Sequence, residues 1–446
     1  MTLLALLGAL VFAPAAAPAA ARPKVVEWSL ANGLQVAYLR VTRMPVVAVQ
    51  VWVHAGAKDD PEGKTGTARI FERLLFTGSE HVPAEQHARL IARVGGSAGA
   101  FTTDDVTVFH EVVPRGQLDL AVRLEADRLR RLMFRPKAVA AEKELAKEGL
   151  RARDPYGDGG GGDGEAVRAA VQRLRAVAFT VHPYRRATAG SLEDLDRISA
   201  DDLRRFYDLY YQPGNVLLVI VGDVPEEESR TAVDQAFGPI AQAPEPPHPA
   251  REMKEPPQTE LRRETGRAGA LGVVIGGWKV PEARSADLIP LEVAMAILAT
   301  GDSARLPQRV VRKDKLAVGV GAGLLRSEDA GLLYVYATHL APEQADRLET
   351  ALYAEAERLG RERVSTRELE RARQKLATRV AFAQGDVAAL ARQIGESKLL
   401  RGDATAWTGD LDAILKVTAA DVQRVAKAYL QKTQLTIVRV PPRGGR

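Results

Sequence analysis

The 446-residue sequence contains no cysteine. Disulfides, cysteine-ligated zinc and lipid attachment at a cysteine are therefore excluded. Histidine is scarce, with seven residues: His54, His81, His87, His110, His182, His248 and His339. No two stand three or four positions apart, so no helix here presents a local pair of histidine ligands. No segment after the first 22 residues is apolar enough to cross a bilayer as a helix. A long basic run is also missing. The 62 Lys and Arg face 57 Asp and Glu, for a net charge of +5 and a pI of about 9.3. So small and dispersed an excess argues against nucleic acid as a partner.

What is present is an ordinary globular composition, 46% hydrophobic and 27% charged, in a chain long enough for roughly two to four domains. Residues 1–22 read MTLLALLGALVFAPAAAPAAAR. Their apolar run is too short to span a bilayer and is followed by small residues, the pattern of a secretory signal peptide cleaved near Ala21. The run lacks a basic start, and a disordered Ala/Pro leader or an uncleaved anchor are the alternatives. The expected location is outside the cytoplasm, in the periplasm.

The rest alternates between strands and helices. Asn32-Gly33, between two short apolar runs, predicts a hairpin. The alternating, β-branched stretch 46–54 predicts a strand. Helices are expected over 84–94, 117–132 and 137–153, a glycine turn leading into a strand over 95–109, and a buried strand over 216–221. The stretch GDGGGGDG at 157–164 reads as a flexible loop without the lysine of a phosphate loop. Residues 241–265, rich in Pro, Glu, Lys and Arg, read as a linker. Beyond them come a strand at 271–278, helices at 285–298 and 303–313, and paired strands at 316–325 and 331–339. Helices at 342–359, 366–382, 387–400 and 418–430 follow, and a strand at 433–440 ends the series. The same order on both sides of the linker implies a duplicated α+β unit, 23–240 and 266–446.

The first half is organised around GKTGTARIFERLLFTG, residues 63–78. Ile70, Phe71, Leu74 and Leu75 recur at the helical period. Thr65 or Thr67 is the expected cap, and Gly78 follows the end. Arg69, Glu72 and Arg73 share one face. Two bases four apart, with an acid just before the second, resemble the inverted zinc motif H-x-x-E-H of the pitrilysin-like (insulinase family, inverzincin) peptidases. The GKTG flank resembles the family too, as does the run that begins HPYRRATAG at 182 and ends near 224. The resemblance implies an α+β fold of two homologous halves, each an antiparallel-rich sheet packed with helices, forming a half-clamshell.

In that family the two histidines bind zinc and the glutamate activates water. Here both histidine positions are arginine. A ligand must offer a lone pair, whereas guanidinium is always protonated and only donates. No metal and no cofactor are therefore expected, and no catalytic residue in the degenerate set Arg69, Glu72, Arg73 and Glu148. Glu148 stands where the resemblance implies the third zinc ligand, with Glu144 one turn before it. The asparagine that helps the family hold peptide falls at Gly99. Its substrate-holding arginine falls at Arg305, the expected substrate-binding residue, while the accompanying tyrosine falls at Val318. Without the resemblance, the charged face reads as a surface salt-bridge cluster. His81, His87 and His110 read as solvated or satisfied core histidines.

The chain thus resembles the non-catalytic subunit of the family's heterodimeric bacterial members and of mitochondrial processing peptidase. The expected function is a substrate-positioning or chamber-forming subunit, partnered by a zinc-bearing homologous chain and a peptide substrate. The alternative is a scaffolding protein derived from a peptidase. Metal-free hydrolysis finds no support, because there is no cysteine and no serine in a nucleophile-elbow context.

Overall fold

The computed structural model describes residues 23–152 and 163–443. The leader and residues 157–162 of the glycine-rich loop lie outside them. The first half begins with strands β1 (Val26–Ser29), β2 (Gln35–Arg40) and β3 (Val46–Val53). The Asn32-Gly33 turn joins β1 to β2, with Gly33 at φ 89°. Helices α1 (Thr67–Leu74) and α2 (Gln86–Arg93) follow, then strands β4 (Ser97–Thr102) and β5 (Thr107–Pro114). Five helices come next: α3 (Leu118–Arg130), α4 (Pro136–Ala152), α5 (Asp163–Ala178), α6 (Leu192–Arg197) and α7 (Ala200–Tyr210). Strand β6 (Val216–Gly222) and helix α8 (Glu226–Phe237) end this half.

The second half comprises β7 (Arg262–Thr265), β8 (Gly272–Val280), α9 (Leu288–Ala299), a π-helical segment (Pro307–Lys313), β9 (Gly319–Leu325) and β10 (Gly331–His339). It continues with α10 (Ala345–Arg361), α11 (Thr366–Ala383), α12 (Val387–Arg401), α13 (Asp410–Lys416), α14 (Ala419–Tyr429) and β11 (Leu435–Val440). Part of the stretch read as a linker is therefore the edge strand β7.

The sheets run β1-β2-β6-β3-β5-β4 and β7-β11-β8-β10-β9. Apart from β1, the orders correspond strand for strand. Even the single parallel pair, β2 with β6, has its counterpart in β7 with β11. All other pairs are antiparallel. The α+β class and the duplication are those the sequence implied.

Burial explains the uniform apolarity of the central strands. Val46–Val53 and Val216–Gly222 are covered on both faces, so neither alternates as a one-sided strand would. One face of the first sheet packs against α1, α2, α3 and α7 around Phe71, Phe109 and Tyr211. The other face receives α12, a helix of the second half, through Val387, Leu390 and Ile394. Helix α5 of the first half covers the second sheet in the same way, through Ala170 and Leu174. Each half thus completes the core of the other.

Candidate functional site

Helix α1 is held at its head by the loop just before it and by a loop more than a hundred residues later in the chain. Asp60, buried, accepts from the backbone N–H groups of Gly66 (2.7 Å) and Ala68 (2.8 Å). A carboxylate suits this end of a helix, where N–H groups point outward unpaired. The expected caps have other partners. Thr65 donates to Asp194, and the Thr67 hydroxyl donates to the Lys64 carbonyl at 2.7 Å. A cap that reaches in from the preceding loop leaves no local pattern to read. Gly66 (φ 94°) lies against Gly190 (φ 77°), where a Cβ would run into the Thr65 carbonyl. The GKTG and ATAG stretches therefore form one packed unit at the start of α1.

The inner face of α1 buries Ile70, Phe71 and Leu74. Phe71 lies within a cluster of rings, 4.9 Å from Tyr211 and 5.5 Å from Phe206. Aromatic burial on this scale fixes the rotation of the helix and so the direction of the opposite face. On that face Arg69 pairs with Glu72, and Arg73 Nε donates to Glu142 Oε2 at 2.8 Å. Glu142 lies on α4, which packs beside α1. Arg73 thus finds Glu142 rather than Glu148. Glu148 is exposed, and among the described residues no ion pair joins it to either arginine. Glu144 pairs with Lys147.

Each guanidinium of the motif face therefore already has a carboxylate, and neither offers a lone pair. The Arg73 side chain is 51% exposed, so its ion pair is worth little. Arg73→Leu is expected to change unfolding free energy by about 0–1 kcal/mol in denaturant titration. A loss of about 3 kcal/mol or more would mean that this face is closed to water.

Sequence reasoning did not bring together a second charged cluster, behind α1. His87 on α2, Glu111 on β5 and Glu125 on α3 place their ligand atoms within 4.8 Å of one another. His87 Nε2 contacts Glu111, so this histidine is satisfied in the core as expected. The donor set suits a metal, but a cation is already in place. Arg128 forks onto Glu125, with Nε at 2.8 Å, and its guanidinium lies 4.9 Å and 4.7 Å from the Phe76 and Phe109 rings. Burial pushes Glu111 and Glu125 each up to about 7 and His87 down to about 3, the last helped by Arg128.

These acids hold protons more tightly folded than unfolded. Their stabilising contribution is complete below the unfolded value near 4.5 and is lost as pH rises through about 7. The stability of the wild type, followed by thermal unfolding, is expected to fall from about pH 5.5 to 8.5 by on the order of 2–3 kcal/mol more than that of Glu111→Gln. Parallel pH curves would count against this.

In the second half, Arg305 donates to Glu368 through Nε (2.7 Å) and Nη2 (3.3 Å). The Arg305 hydrogen bond holds the Glu368 carboxyl down to about 2, against the effect of burial. Arg305 Nη1 is buried without a partner. Val318 is exposed just before β9. Gly99 sits under the His110 ring, where a Cβ would lie 2.8 Å from Nε2, so an asparagine there would collide.

The two α+β halves are alike, and the first helix of one of them presents Arg69, Glu72 and Arg73. A profile described as "Insulinase (Peptidase family M16)" matches residues 35–155, and "Peptidase M16 inactive domain" matches residues 197–376. The chain belongs to peptidase family M16. It is 26% identical over 428 residues to the zinc protease PqqE of Helicobacter pylori, covering 94% of this chain and 93% of that protein. It is 24% identical over 435 residues to a probable mitochondrial-processing peptidase subunit beta of Arabidopsis thaliana, covering 94% and 79%. The crystal structure of a protease from Helicobacter pylori superposes with a TM-score of 0.87 at 25% identity, covering 94% of this chain and all of that one. Among the described residues no helix is long and apolar enough to cross a membrane.

Proposed function

We propose that this chain is the non-catalytic, peptide-positioning subunit of an exported heterodimeric zinc peptidase. One observation carries the reading. The helix whose sequence resembles the family's zinc motif is capped by Asp60 and backed by Tyr211 and Phe206, yet arginines stand where the resemblance implies the two ligands, and they pair with Glu72 and Glu142. A fold kept intact around a missing metal site suits a chain that shapes a chamber while another chain supplies the zinc. Arg305 is the proposed peptide contact, and its side chain is only 9% exposed. Export rests on residues 1–22. The tie between Arg305 and Glu368 favours the scaffolding alternative, in which this arginine is purely structural.

Reconstitution with a zinc-bearing homologue encoded nearby tests the reading. The purified chain is expected to hold no stoichiometric zinc by elemental analysis after dialysis against micromolar zinc. Peptide cleavage is expected to need both chains, and Arg305→Ala to raise KM without dissolving the complex. An active chain that works equally well alone, or that does not bind this one, would favour the scaffold. One zinc per chain, lost on changing Glu72 or Glu148, would overturn the inactive assignment.

A further inference from the structure

Between the two halves lies a cavity of about 530 Å³. Phe101, at the end of β4, and Leu324, on β9, both line it. These strands are the outermost of their sheets, so one side of each has no ladder partner. Val380 of α11 and Leu400 of α12 extend the apolar wall. At one end two guanidiniums meet a single carboxylate. Arg326 Nη2 donates to Glu292 Oε2 at 2.6 Å, and Arg379 Nη2 donates to Oε1 at 2.8 Å. The Glu292 side chain is only 6% exposed, whereas those of Arg326 and Arg379 are 32% and 58% exposed. Nε and Nη1 of both arginines have no protein partner among the described residues.

The other acids around the cavity are each paired, Asp105 through a lysine that it shares with Glu328, which Arg251 also holds. Asp104 pairs with Arg175, Asp105 with Lys58, Glu396 with Arg392 and Asp410 with Arg401. The uncompensated charge is therefore the second guanidinium on Glu292. It sits beside an apolar wall large enough for a side chain and next to two open sheet edges. We infer that this cavity binds the free C-terminal carboxylate of an extended peptide, with the last, apolar side chain against Phe101 and Val380. A planar fork pairs well with a carboxylate, and unpaired strand edges accept extended backbone. The inference rests on the peptide-holding reading above and adds the end of the peptide that is recognised.

The test uses the isolated full chain, so it needs no partner. A short N-terminally labelled alanine-rich peptide ending in leucine is titrated by fluorescence anisotropy, as the free acid and as the C-terminal amide. The free acid is expected to bind about tenfold or more tightly than the amide. Arg379→Gln should abolish that preference. It should leave the melting temperature unchanged, since the residue is largely exposed and Arg326 still holds Glu292. Equal binding of acid and amide, binding of neither, or an acid preference that survives Arg379→Gln would overturn the inference. So would displacement of the peptide by hexanoate as readily as by unlabelled peptide, which would make the cavity a general carboxylate site. A preference seen without any partner chain would stand even if reconstitution failed, so the two readings fall separately.

Discussion

Lys58→Met is expected to lower the unfolding free energy by about 3–5 kcal/mol, the cost of leaving buried charges without their partner. The Lys58 side chain is fully buried in the first half. Nζ lies 2.8 Å from Asp105 and 2.6 Å from Glu328, which belongs to the turn between β9 and β10 of the second half. Burial alone would lower the lysine pKa, but the carboxylates of Asp105 and Glu328 reverse this and raise it well above its usual range. Burial would raise the Glu328 pKa, but the His54 hydrogen bond and the Lys58 charge hold it far below the usual range. Glu328 is further bound by Arg251 at 3.1 Å, and its backbone N–H donates to Asp105 at 3.1 Å. The turn thus pins one half to the other. Without Lys58, two carboxylates face each other in a poorly solvated junction. Calorimetry should then show a broadened or split transition as the halves uncouple. Adding Glu328→Gln should recover part of the loss, since it removes one of the stranded charges. A loss below about 1 kcal/mol for Lys58→Met would show that the junction is wet.

Gly395→Ala is the second large effect, and its sign separates local from tertiary reasoning. Glycine in the middle of α12 is a poor helix former, and alanine should stabilise the helix by about 0.5–1 kcal/mol. In the folded chain, however, Gly395 lies flat against the Trp52 indole of β3. A Cβ would sit 2.6 Å from Nε1 and closer still to the ring carbons. The indole cannot swing aside, because Nε1 donates to Gln50 Oε1 at 3.0 Å and Gln50 Nε2 donates to the Ala388 carbonyl of α12 at 3.0 Å. The alanine variant is therefore expected to lose about 1–3 kcal/mol from overpacking. In a Trp52→Phe background the same change should cost less. Equal or greater stability of Gly395→Ala in chemical denaturation would refute the close packing of α12 on the first sheet.

Much of this was legible in the sequence. The Val46–Val53 and Val216–Gly222 strands, the Asn32-Gly33 turn and the motif helix carry their own periodicities and turn residues. Similar element orders on either side of 241–265 announced the duplication. Three features were not legible, each because it depends on how the chain folds back and not on a helical or strand spacing. Asp60 caps α1 from a preceding loop. Gly190 is needed by the Thr65 carbonyl, more than a hundred residues earlier. Arg73 chose Glu142, because a long side chain on one helix reaches whichever acid the neighbouring helix turns toward it. Sequence spacing along α4 does not encode that choice.

The sequence by itself determined the elements, the doubling and the absence of a lone pair at Arg69 and Arg73. Those depend on local period and on what a guanidinium is, whatever its surroundings. Only the tertiary structure decided that α5 and α12 cross to the opposite sheets, that Glu328 locks onto Lys58, and that Arg326 and Arg379 share Glu292 beside a cavity. An amphipathic helix buries its apolar face against any sheet of matching shape, and a charge pairs with whatever opposite charge packing brings near it. Both choices are made by contacts between halves that no local pattern contains.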